Sequence, residues 1–207
     1  MENFEIIKPF GPSIVKTKMP YEMINEMNKY VDTIIQDKEK SQKLNYGKQL
    51  IGKVQQEFLM EIDFMKKIKW AEFLGSNVHR WVSAETENKI EKFELIRSWI
   101  VRQFQNDYNP VHYHSGHISG VGYLKVPETL GENIQNDKTT NENGKLQLIH
   151  GSVSLLSHAT HLIKPEVGDF YLFPNYLMHT VYPFSDTDEE RRSVSFNAKL
   201  DFSSIKL

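Results

Sequence analysis

Two histidines spaced two residues apart, His112 and His114 in N-P-V-H-Y-H-S-G-H, are this chain's best candidates for chemistry, together with His179 in L-F-P-N-Y-L-M-H. On a strand, residues i and i+2 point to the same face, so the pair can grip one ion. His179 can close that grip if distant strands meet in a barrel. Three protein ligands leave positions open for water, substrate or oxygen, as in a catalytic metal site rather than a closed structural one.

The other histidines carry weaker signals. His79 sits in a helical pattern with no partner in view. His158 and His161 have the i, i+3 spacing of a helical ligand pair, but Thr160 and the following L-I-K-P favour a strand, which sends them to opposite faces. His150 ends a strand. His117 is separated from His114 by a Ser115-Gly116 bend and is expected to support the site or touch substrate.

An arginine follows on E-E-R-R-S-V-S-F-N. Strand alternation puts Arg191, Ser193, Ser195 and Asn197 on one face and Arg192, Val194 and Phe196 on the other. If the first set faces a barrel interior, Arg191 is a buried cation that a carboxylate ligand would satisfy. Alternatively, both arginines are exposed and pair with the acidic turn Asp186–Glu190. Pattern alone leaves both readings open.

These residues need rigid elements to hold them. The N-terminal part reads as two short strands within residues 4–16, broken by a Pro-Phe-Gly-Pro turn, then a helix opened by Pro20. Met23, Ile24, Met27, Tyr30, Val31, Ile34 and Ile35 form its apolar stripe. A polar loop is expected from Gln36 to Lys48, and a second helix from about Val54 to Leu74, ended or bent at Gly75-Ser76-Asn77, with a shorter helical stretch around Val78–Ala84 beyond it. A long strand begins near Phe93. Further strands are expected at His112–His114, Gly120–Val126, Lys145–His150, Thr160–Lys164, Phe170–Phe173 and Ser193–Leu200. The polar insertion Glu128–Gly144 reads as a surface loop and potential lid, and with the 36–53 loop it is expected to line the entrance.

Composition bounds the rest. The 207 residues suggest one domain, with 1–92 as strands and supporting helices and 93–207 as the core that carries the site. A formal net charge of −2 gives no reason to expect a nucleic-acid or anionic-membrane partner. No apolar run approaches the roughly 20 residues needed to span a bilayer. The acidic N-terminus lacks the pattern of a secretory signal. With no cysteine, any metal must be held by His, Asp or Glu, and a reducing cytoplasm is the expected location.

Four segments in order, H-x-H, S-G-V-G-Y-L-K-V-P, G-D-F-Y-L-F-P-N-Y-L-M-H-T-V-Y-P and R-R-S-V-S-F-N, resemble the 2-oxoglutarate- and Fe(II)-dependent oxygenases, relatives of prolyl hydroxylases. The resemblance spans about Asn109 to Lys199, apart from the Glu128–Gly144 loop. It implies a mainly β protein, a double-stranded β-helix (a cupin-like jelly roll) buttressed by N-terminal helices. It also implies Fe(II), 2-oxoglutarate as co-substrate, and O2. By this likeness His112 and His179 are the first and last metal ligands, and Arg191 holds the distal carboxylate of 2-oxoglutarate. Tyr123 shares that carboxylate, and Ser193 adds a hydroxyl.

One position departs from the family's usual His-x-Asp/Glu…His pattern: the middle ligand is His114, which makes a neutral three-histidine face. The resemblance implies a hydroxylase that releases succinate and CO2, acting on a peptide or small molecule. The alternatives are a cupin-like three-His metalloenzyme that does not use 2-oxoglutarate and a non-catalytic jelly-roll binding protein. Oligomeric state cannot be read from the sequence.

Overall fold

The computed structural model describes residues 4–8, 11–133 and 137–203, so Pro9 and Phe10 of the expected first turn lie outside the described residues. In chain order the elements begin with β1 (Glu5–Ile7), β2 (Ile14–Lys18), α1 (Tyr21–Gln36), α2 (Lys38–Leu44) and β3 (Gln56–Leu59). α3 (Ile62–Lys67), α4 (Trp70–Glu85), β4 (Ile90–Gln103), β5 (Asn109–His112) and β6 (Ile118–Lys125) follow. The chain continues through β7 (Leu146–Ile149), β8 (Thr160–Ile163), β9 (Asp169–Pro174), β10 (Met178–Val181) and β11 (Arg191–Phe202). The strands form a seven-stranded sheet, β1-β2-β9-β6-β11-β4-β3, and a four-stranded sheet, β5-β10-β7-β8. Every named strand pairing is antiparallel. This is the expected jelly roll with helices on the large sheet.

Two apolar layers hold it together. On the outer face of the large sheet, Met27, Val31 and Ile34 of α1 and Trp70, Leu74, Val78 and Trp81 of α4 pack with Ile100, Phe170, Leu172, Val194 and Phe196. The helices therefore bury the apolar side of each alternating strand. A smaller cluster, including Ile14, Tyr123, Leu146, Leu148, Ile163 and Phe173, joins the two sheets. The polar alternates of the same strands are left facing the space between the sheets. Among the described residues no helix is long and apolar enough to cross a membrane.

The N-terminal expectations need three corrections. The helix expected over Val54–Leu74 is instead β3, then α3 and α4. Gln56–Leu59 pairs with Trp99–Arg102 at the edge of the large sheet, and these long-range ladder bonds override the helical spacing of the apolar residues. Lys69, in the left-handed region at φ 55°, separates the two helices. Nor does α4 end at Gly75-Ser76-Asn77; it runs unbroken through the helical stretch expected around Val78–Ala84 to Glu85, with Gly75 lying against Phe93. The expected loop Gln36–Lys48 contains α2, whose first turn is capped by the Asp37 carboxylate accepting from the Lys40 N–H. A further strand, β10, was not anticipated, and it carries His179.

A buried charge chain fixes α1 to the sheet. Glu190 accepts from Arg102 (Nε, 2.8 Å) and Arg192 (Nε, 2.7 Å), and Arg192 also reaches Asp32 at 2.8 Å and the Asn28 carbonyl at 3.0 Å. Burial pushes the Glu190 carboxyl up, but Arg192 and Arg102 outweigh it and hold its pKa below the ordinary value. Glu190→Gln keeps the shape but leaves two shielded guanidiniums short of one charge. We expect a loss of about 3 kcal/mol in chemical denaturation at neutral pH. A change under about 0.5 kcal/mol, the range of an ordinary surface substitution, would show the chain to be incidental.

Candidate metal and co-substrate site

β5 and β10 are neighbours in the small sheet, and their register sets His112 directly opposite His179. The strand expected at His112–His114 instead runs Asn109–His112, so His114 lies just past β5 and is held by contacts to Asn175 rather than by the ladder. Its N–H donates to the Asn175 carbonyl at 3.0 Å, and Asn175 Nδ2 donates back to the His114 carbonyl at 2.9 Å. Gly116, at φ 103°, then turns the chain into β6; a side chain there would be strained and would strike the Ala198 carbonyl at 2.6 Å.

The three rings converge. Their candidate ligand nitrogens all lie within 4.8 Å of one another. Nδ1 of His112 stands 2.7 Å from the Pro110 carbonyl and Nδ1 of His179 stands 2.9 Å from the Leu177 carbonyl. A carbonyl only accepts, so in both rings Nδ1 carries the proton and Nε2 keeps its lone pair. Burial, then the neighbouring rings, lower the pKa of His179 to about 3 and that of His114 to about 4. Burial also lowers His112, against the opposing pull of the Pro110 carbonyl. At neutral pH the cluster is thus three neutral imidazoles, a donor set that suits divalent iron and its first-row neighbours.

The cluster opens into a cavity of about 320 Å³ between the sheets. Farther along β11, Arg191 and Ser193 line the same cavity, as does Tyr123 of β6, which lies opposite Ser193. Arg191 is 2% exposed; its Nη1 donates to the Gly144 carbonyl at 2.6 Å, and its guanidinium carbon lies 5.7 Å from the Tyr123 ring centroid. Its Nε and the Tyr123 hydroxyl are both buried without a hydrogen-bond partner. Two unmet donors beside a buried cation are costly unless an anion fills the space, and a carboxylate has the acceptors to serve both.

All six expected site residues therefore line one cavity. The two readings of the arginine pair divide between them. Arg191 faces the interior with Ser193, Ser195 and Asn197, while Arg192 lies on the opposite face and pairs with Glu190.

Other histidines stay apart. His117 does not line the cavity as expected; its Nδ1 accepts from the Leu200 N–H at 2.9 Å and its own N–H donates to the Ala198 carbonyl, so it ties the start of β6 to β11. His158 is exposed, and His161 lies in β8, away from the cluster. At the entrance, Gln49, Leu50 and Ile51 line the cavity, whereas no described residue of the Glu128–Gly144 loop does. Among that loop's described residues, Gly144 meets the site by accepting from Arg191 at its carbonyl. Sequence reasoning assigned nothing to Arg97 and Trp99, which line the cavity, and missed Glu57 by placing it in a helix.

Fold and site together define a jelly-roll protein with a three-histidine face and an anion-ready pocket beside it. Residues 97–197 match the family model described as "Putative 2OG-Fe(II) oxygenase". A prolyl-4-hydroxylase from Pseudomonas putida has a similar structure, with 12% identity, TM-score 0.55, and coverage of 96% of this chain and 93% of that one. A prolyl hydroxylase from Trichoplax adhaerens, solved with a hypoxia inducible factor peptide fragment, is 13% identical with TM-score 0.53, covering 95% and 83%. The non-heme alpha ketoglutarate dependent epimerase SnoN from nogalamycin biosynthesis is 13% identical with TM-score 0.59, covering 88% and 76%. At these identities the likeness is one of fold. No curated protein matches the sequence. The matched segment, just under half of the chain, carries all six site residues and is similar to the 2-oxoglutarate- and Fe(II)-dependent oxygenases, a family whose members use iron, 2-oxoglutarate and O2.

Proposed function

We propose that His112, His114 and His179 hold the ferrous ion, and that Arg191 and Tyr123, aided by Ser193, anchor the distal carboxylate of 2-oxoglutarate. The enzyme then hydroxylates a C–H bond of a small molecule or peptide. One observation carries this reading: the unpartnered Arg191 Nε and Tyr123 hydroxyl are buried in the same cavity as three neutral imidazoles. When bound, iron, 2-oxoglutarate and O2 supply the oxidative decarboxylation that yields succinate, CO2 and a hydroxylated product.

The chain's own part is to bind, orient and exclude water. The Pro110 and Leu177 carbonyls fix two rings so that Nε2 faces the ion. Arg191 draws the co-substrate's distal end to the β11 side, and Tyr123 donates to the same group. Val101, Leu146, Phe173 and Val181 wall the space with apolar surface, which strengthens each charge interaction inside it. Three neutral ligands leave the ion's double positive charge undiminished, so a dianionic co-substrate balances it. Strands β1 to β3 from the first part of the chain flank those of the second in one sheet, which supports reading 1–207 as one domain. We place the reaction in the cytoplasm, on the absence of cysteine.

Purified protein given Fe(II), 2-oxoglutarate and O2 should form succinate, and a chelator should abolish it. Bound metal without iron-dependent succinate formation, across amino-acid and prolyl-peptide panels, would transfer the site to the cupin-like reading. Absence of stoichiometric metal would leave a binding protein.

A further inference from the structure

A second unmet charge lines the cavity, on the side away from Arg191 and Tyr123. Glu57 on the edge strand β3 is 1% exposed, and its Oε2 is buried without a hydrogen-bond partner. It lies opposite Val101, which lies opposite Ser193, which lies opposite Tyr123. At ~4.8 Å per strand, Glu57 stands ~10 Å from the Ser193 backbone, across the cavity floor from the co-substrate residues. Burial pushes its carboxyl up to about 7, since among the described residues it has no ion pair to hold it down.

A cation stands on the same side. Arg97 of β4 lines the cavity, forms no ion pair among the described residues, and lays its guanidinium carbon 4.4 Å from the Tyr46 ring centroid. The next residue, Gly47, lies against the other charge: a Cβ there would sit 3.5 Å from Glu57 Oε2. Both charged heads thus approach Tyr46–Gly47, yet they do not pair with each other. Between Arg97 and Val101 on the same strand face stands Trp99, whose ring lies 5.7 Å from that of His114. A molecule that bridges Glu57 and Arg97 therefore lies over Trp99, beside the histidine cluster.

Resting on the iron and 2-oxoglutarate assignment above, we propose that Glu57 and Arg97 recognise the primary substrate, and that this substrate is a free α-amino acid. Its ammonium is held by Glu57 and its carboxylate by Arg97. The full opposite charges of a zwitterion meet both groups, whereas the neutral amides of a peptide backbone leave each without a counter-charge. The cavity, about 320 Å³ and shared with the co-substrate, suits a ligand of that size.

Calorimetric titration of the Fe(II)-loaded, 2-oxoglutarate-bound protein without oxygen tests this, with the common free α-amino acids and their N-acetyl and carboxamide forms as probes. At least one free amino acid should bind, and either cap should weaken it about tenfold or more. Glu57→Gln should weaken the free amino acid by a similar factor but leave the N-acetyl form, which lacks the cation, little changed. Arg97→Gln should do the same with respect to the carboxamide. The proposal is overturned if no free amino acid binds, if capped forms or a prolyl peptide bind as well, or if neither substitution matters. 2-Oxoglutarate is titrated alone into the Fe(II)-loaded protein beforehand, so failure of that binding counts against the co-substrate assignment and not against this one.

Discussion

His179→Ala protein purifies folded but without stoichiometric iron, and its succinate formation falls to background. His179 is the most deeply placed of the three, 5% exposed, with its proton fixed by the Leu177 carbonyl. No neighbouring His, Asp or Glu completes the cluster in its place among the described residues. Loss of an outer partner of a ligand typically costs about 10–100-fold in metal affinity, so loss of the ligand itself should exceed about 100-fold. Metal analysis after anaerobic loading reads the effect, and circular dichroism confirms the fold. His117→Ala is the control. It sits three residues from His114 but outside the cavity, and should keep full metal stoichiometry. Equal metal loss in both proteins would sink the assignment.

Arg191→Gln separates co-substrate from metal. The guanidinium is buried beside the Tyr123 ring, and glutamine supplies neither its charge nor its reach. Removing one partner of a buried, hydrogen-bonded charge pair costs about 2–5 kcal/mol. The KM for 2-oxoglutarate should therefore rise by roughly 30- to 4,000-fold, at about 1.4 kcal/mol for each factor of ten. Iron stoichiometry should be untouched, since Arg191 donates to the Gly144 carbonyl and not to any histidine. Steady-state succinate assays across 2-oxoglutarate concentrations measure it. An unchanged KM would show that Arg191 does not hold the co-substrate.

The errors of sequence reading have specific causes. β3 was hidden because Phe58, Leu59, Ile62 and Met65 fit a helical period, while the force that makes Gln56–Leu59 a strand is pairing with β4, remote in the chain. Glu57 went unnoticed with it. Its carboxyl is informative only because the fold buries it without a partner, and no spacing rule reports that. β10 escaped because four residues between polar turns carry too little pattern of their own. By contrast, the alternation of β11 is local, and it sorts Arg191, Ser193, Ser195 and Asn197 onto one face whatever strand lies alongside.

By itself, the sequence determined what depends on neighbours along the chain: the two-residue spacing of His112 and His114, the alternating faces of β11, the apolar stripe of α1, and the motifs whose order resembles the oxygenase family. Only the tertiary structure decided what depends on strands meeting through space. It set His112 opposite His179, chose Arg191 over Arg192 for the interior, withdrew His117, and left Glu57 and Arg97 without an ion-pair partner among the described residues at one side of the cavity. Ladder register and burial are long-range quantities; each depends on which strand lies alongside, and no local pattern of residues encodes that partner.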